Sequence, residues 1–94
     1  MSYYTRKQVL ELLELDDGFL TSLLTEEIVV IDAPTAEVGE FSERMLERVR
    51  VAQNLVRDLE VNLAGAAIIL RMREEMADLH HRLEDLAREI KRRS

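Results

Sequence analysis

Seven apolar residues near the C-terminus, Ile69, Met72, Met76, Leu79, Leu83, Leu86 and Ile90, follow one another by alternating steps of three and four. That spacing keeps a narrow stripe on one side of an α-helix, and here it lasts for three heptads, a coiled-coil pattern. Asn62 is a suitable cap for the helix that carries the stripe, and no proline follows it. Such a helix, of about 30 residues, would be about 45 Å long. The stripe either packs back on its own domain or meets another chain. A chain of 94 residues has too little mass upstream to cover that length. The pattern therefore predicts a homodimer held through these seven residues.

Upstream the apolar residues come in shorter groups. Thr5 is a good N-cap, and Val9, Leu10, Leu12 and Leu13 give one face of a short first helix. Asp16, Asp17 and Gly18 read as a turn in which either Asp could cap a second short helix carrying Phe19, Leu20, Leu23 and Leu24. Two short helices joined this way make a helix-turn-helix. The β-branched run Ile28 to Ile31 reads as a strand, broken at Pro34, with Val38 to Phe41 returning as the second strand of a wing. Ser42 then caps a third helix, with Phe41 and Leu46 placed for a hydrophobic staple and Met45, Val49, Ala52, Val56 and Leu59 on one face. The expected fold is mainly α: a winged helix-turn-helix over residues 1–60 with a small β-hairpin wing. A long C-terminal coiled-coil helix over residues 61–94 completes one compact unit.

Charge narrows the choice of partner. Between Val9 and Glu43 there are ten acidic residues and no Lys, Arg or His, whereas the rest of the chain holds all 13 Lys and Arg against nine acids. Phosphate contacts dominate the affinity of DNA readers, which place basic side chains on the second helix and the wing. Here those elements carry Asp16, Asp17, Glu26, Glu27, Asp32 and Glu37, and these six are the candidate partner-binding residues. A surface of that sign repels nucleic acid and anionic membrane and attracts a basic protein surface. Glu26 and Glu27 are the most informative pair, because they fall at a helix C-terminus, where negative charge is unfavourable. Asp32, Glu37 and Glu40 sit on the expected wing, where acid can also serve solubility.

Other functions find little support in the residues. With no cysteine, disulfides and thiol chemistry are excluded, which suits a reducing compartment. His80 and His81 are adjacent and point about 100° apart on a helix, so they cannot chelate one ion together; His80 beside Glu84 reads as a surface pair. No Ser-His-Asp set or Gly-rich phosphate loop is present, so neither an enzyme nor a cofactor is expected. The N-terminal MSYYTRKQ lacks an apolar signal-peptide core, and the longest run free of polar side chains, Leu63 to Leu70, cannot span a bilayer. A cytoplasmic location is expected. Met72 and Met76 read as seam filler, Gly65 as a point of close approach to the third helix, and Arg88, Lys91, Arg92 and Arg93 as a basic tail.

The order helix-turn-helix, wing, third helix and dimerising helix resembles that of MerR-type regulators. The segment VNLAGAAIILRM, Val61 to Met72, resembles a stretch of the heat-shock regulators in that group. It is closer still to the chaperone-modulator family CbpM, with which Tyr4-Thr5 and the LEDL of Leu83 to Leu86 also agree. That resemblance implies a MerR-like fold, no catalysis, and binding and inhibition of a DnaJ- or CbpA-like co-chaperone through its basic J-domain. The competing expectation is a dimeric MerR-like transcriptional regulator that binds operator DNA, and the acidic recognition region speaks against it.

Overall fold

The structure, a computed structural model, describes residues 2–35, 37 and 39–94. In chain order it contains β1 (Tyr3–Tyr4), α1 (Arg6–Leu12), α2 (Asp17–Thr25), β2 (Phe41–Ser42), α3 (Glu43–Asp58) and α4 (Leu63–Arg93). The fold class is the expected one: mainly helical, with a small two-stranded antiparallel element and a long C-terminal helix.

Local capping chemistry sets most of the helix starts. Thr5 accepts from the Gln8 N–H while the Gln8 side chain accepts from the Thr5 N–H, a complete capping box for α1. Ser42 accepts from the Met45 N–H at 3.2 Å, and Asn62 from the Gly65 N–H at 2.8 Å. Asp16 holds the N-cap position of α2 but makes no side-chain cap bond; Asp17 opens the helix and pairs with Arg6 instead. Phe41 is fully buried and Leu46 packs against the same core, as a staple requires.

The two-stranded element differs from the expected wing in its first strand. Ile28 to Ile31 is not a strand. The N–H groups of Ile28 and Val29 both donate to the Leu23 carbonyl, and that of Glu27 to Leu24, so this segment closes the C-terminus of α2. Amides used in that way cannot join a ladder, and Ile28 and Val29 are buried as core plugs. The β pairing is supplied by the N-terminal segment, with Tyr3 opposite Ser42 and Tyr4 opposite Phe41. Of the return strand expected at Val38 to Phe41, Phe41 belongs to β2 and Val38 lies outside the described residues. Gly39 has φ +121°, and a Cβ there would lie 2.8 Å from the Tyr4 backbone. Its lack of a side chain lets the neighbouring Glu40 N–H reach the Tyr4 carbonyl at 2.8 Å.

The core joins Val9 of α1, Leu20 and Leu23 of α2, Ile28, Val29 and Phe41, Met45, Val49 and Ala52 of α3, and Leu70 of α4. Gln53, buried on α3, donates to the Leu13 carbonyl at the end of α1 and so satisfies a group that the helix leaves unpaired. Leu59, expected on the buried face of α3, is its C-cap and is exposed. Gly65 approaches Val61 and Asn62, the capping turn, rather than α3. On α4 only Ala66 and Leu70 are buried, and Leu63 and Ala67 lean on the same core. Beyond Leu70 the 31-residue helix runs out from the head, whose longest dimension with it is 54 Å.

Candidate functional site

The six acidic residues singled out by the sequence are all exposed, and they fall into three places. Asp16 and Asp17 stand at the start of α2, Glu26 and Glu27 just past its end, and Asp32 and Glu37 in the connection to β2. The two ends of α2 are separated by about 15 Å, so Asp16 and Asp17 stand apart from Glu26 and Glu27 and the acids are not a point cluster.

They are not equivalent. Arg6 donates from Nε to Asp17 Oδ1 at 2.8 Å and from Nη2 to Thr21 Oγ1 at 2.6 Å. That bonded guanidinium holds the Asp17 carboxyl below its ordinary range, and the carboxylate in turn raises Arg6. Asp32 accepts from both the N–H and the hydroxyl of Ser42, at 2.8 and 2.5 Å, which ties the connection to the start of α3. Asp17 and Asp32 therefore have structural duties. Among the described residues, Asp16, Glu26, Glu27 and Glu37 have no side-chain hydrogen-bond or ion-pair partner.

The position of Glu26 and Glu27 is locally unfavourable in two ways. They are the C-cap and the following residue of α2, where the helix dipole disfavours negative charge by about 0.3–1 kcal/mol each. Glu27 also adopts φ 56°, a left-handed conformation that costs a residue with a Cβ about 1–2 kcal/mol. Glycine is the usual occupant of that position. Glu14, with φ 50°, takes the corresponding place after α1 and is likewise exposed and unpaired. It lines one shallow groove with Asp16 and Arg57, and charge segregation was its sole sequence signal.

The seam on α4 forms a second surface. Met72, Met76, Leu79, Leu83, Leu86 and Ile90 are each more than half exposed, and Ile69, nearest the head, is half-buried. The head does not cover this stripe. Around it, side chains pair along the helix: His80 with Glu84 at 2.7 Å, as expected, Arg82 with Asp78 at 3.0 Å, and the tail residues Arg92 and Arg93 with Glu89. These are exposed pairs of small individual worth. No helix among the described residues is long and apolar enough to cross a membrane.

Missed by the sequence reading is a cationic cleft between α3 and α4. Arg48, largely buried, donates to the Ile28 carbonyl at 2.8 Å and pairs with Glu74, which Arg44 also reaches at 3.3 Å. The i,i+4 spacing of Arg44 and Arg48 was visible; their partner, on another helix, was not.

No curated protein and no solved structure matches the chain. The profile of the MerR HTH family regulatory proteins matches it over residues 4–88, from Tyr4 in β1 to Arg88 on the distal part of α4. The helix-turn-helix, the third helix and most of the long terminal helix lie inside that match, and the chain belongs to the MerR HTH regulatory family.

Proposed function

We propose that this chain is a non-enzymatic modulator of a DnaJ- or CbpA-type co-chaperone, which it inhibits by binding the basic J-domain through the acidic face of α2 and the loop beyond it. One observation carries this reading. In the helix that a MerR-type regulator would present to DNA, the exposed residues are Asp17, Gly18, Thr21, Thr25 and the C-capping Glu26. The single guanidinium bonded to that face, Arg6, is already engaged by Asp17 and Thr21. Such a helix offers phosphate nothing, and the free carboxylates at its two ends, Asp16, Glu26 and Glu27, are open to a basic helix. The likeness of Val61 to Met72 to chaperone modulators gives the basic partner its name. The competing reading, a dimeric regulator at operator DNA, rests on the family alone.

Titration of the wild type with a J-domain should show binding that weakens as salt rises. Replacing Glu26 and Glu27 together by Lys adds repulsion and should lower affinity about tenfold or more. Replacing Glu84 and Asp85 by Lys makes the same change in net charge away from the seam and should leave binding close to wild type. Equal weakening by both pairs would move the contact off α2, and absence of binding at low salt would remove the J-domain altogether. A low-salt gel shift gives the DNA reading its chance: a complex with a Kd of about 10⁻⁸ M or tighter at physiological salt would establish it.

The same reading includes a homodimer formed through Ile69, Met72, Met76, Leu79, Leu83, Leu86 and Ile90, supported by the exposure of the stripe beyond Ile69.

A further inference from the structure

The acidic head and the apolar seam leave one chemically distinct place on the molecule. Between α3 and α4 lies a cleft of about 250 Å³ whose apolar surface comes from Val51, Leu70 and Ala77. Its charged lining is Arg44, Arg48 and Arg73 with Glu47 and Glu74. The two carboxylates do not balance the three guanidiniums there. Glu47 is taken up by Arg50, outside the cleft, in a two-pronged pair with one bond of 2.9 Å, and this holds its carboxyl below the ordinary range. Glu74 alone serves Arg44 and Arg48, and its bond to Arg44 is long, 3.3 Å. Arg73 makes no side-chain hydrogen bond or ion pair among the described residues and meets Glu47 only through the longer-range field that helps to lower that carboxyl. In a chain of net charge −6, this cleft is short of anions.

It is also independent of the seam. Leu70, Arg73, Glu74 and Ala77 lie on the far side of α4 from Met72, Met76 and Leu79, at about 100° per residue. A second copy covering the seam leaves the cleft open.

From an Arg73 with no bonded partner among the described residues, an exposed Arg44 held by one long bond and an apolar floor, we infer that the α3–α4 cleft binds a short apolar monocarboxylate. The carboxylate sits among Arg44, Arg48 and Arg73, where planar guanidiniums favour two-pronged recognition, and the hydrocarbon lies on Val51, Leu70 and Ala77. Glu74 already shows that a carboxylate is accommodated by two of these arginines. It is therefore the internal competitor of the ligand. A cleft this small is below the size of drug-sized pockets, about 300–1,000 Å³, which limits the ligand to a short hydrocarbon tail.

Sodium octanoate is the probe, titrated into the full chain and followed by NMR of backbone amides and arginine side chains. The expected result is saturable shifts at Val51, Leu70, Ala77, Arg44 and Arg73, with octan-1-ol and inorganic phosphate each at least tenfold weaker. Arg73→Gln should weaken octanoate about tenfold. Glu74→Gln, which removes the competitor without emptying the site of arginine, should tighten it severalfold. Shifts confined to Met76, Leu79 and Leu83 would overturn the proposal, since they mean adsorption on the seam. Equal binding of octan-1-ol, or weaker octanoate binding by Glu74→Gln, overturns it as well. Binding of an acidic peptide at these arginines in the absence of octanoate binding would reassign the cleft to a protein partner and end the small-ligand reading.

Discussion

The first two turns of α4 and the rest of it are one continuous helix with opposite relations to solvent. From Leu63 to Leu70 the helix gives Ala66 and Leu70 to the core, while from Met72 to Ile90 every seam residue is more than half exposed. Leu and Ile stand at apolar positions of both parts, joined by Ala in the first and by Met in the second. What differs is what stands opposite: α3 lies against the first part, and it follows the second only as far as Glu74 and Ala77, on the side of the helix away from the seam. Hydrophobic spacing states that a face must be covered; it does not state by what.

Paired truncations separate the two parts most strongly. Leu70→Ala should destabilise the fold by about 2–5 kcal/mol, the range for emptying a buried site. Leu83→Ala, in a monomeric sample, should stay within about 0.5 kcal/mol because the side chain has little to lose. Thermal melts under dilute conditions decide it, and equal losses would mean that the distal seam is covered by its own chain.

Next in size is the effect of charge in the distal seam. With Leu79 and Leu83 both changed to Asp, ultracentrifugation at tens of micromolar should show a monomer where the wild type is a dimer, a loss of about 100-fold or more in association. A wild type that is monomeric at that concentration, about −6 kcal/mol, removes the homodimer.

Much of this architecture was legible because it is local. The caps Thr5, Ser42 and Asn62 act on amides three residues away, so a sequence shows both partners at once. Ile28 and Val29 were not legible as core plugs, since the decisive bonds run from them back to Leu23 while β1 takes the place the strand would have filled. The acidic face was visible as composition. That Asp17 and Asp32 are engaged and Glu26 and Glu27 free depends on Arg6 and Ser42, which come near only after folding. The arginine cleft likewise needs two helices brought side by side.

Smaller effects test the head against the tail. Glu14→Gly relieves a left-handed glutamate after α1 and should stabilise the protein by about 0.5–1 kcal/mol, seen as a higher denaturant midpoint. A destabilised variant would show that this glutamate has a partner. The pair Arg6–Asp17 gives the slightest effect and a pH signature. Asp17 is lowered from 3.8 in the folded state, so its contribution is present above that value and disappears as pH falls through the folded one. The small melting difference between wild type and Arg6→Ala should therefore hold at neutral pH and narrow under strong acid. Exposed pairs between Arg88 and Asp85 or Arg93 and Glu89 should show less still.

The ties of Arg44 and Arg48 to Glu74 are the most distal ion pairs joining α4 to the head among the described residues. Past that point α4 behaves as a stiff arm, with about 28 Å from Glu74 to Arg93. A pivot of about 10° at the tie displaces the tip by about 5 Å over that length. Length alone makes the base of the arm, where Leu70 is buried and Glu74 meets the two arginines, the place where a small change of angle becomes a large change of position.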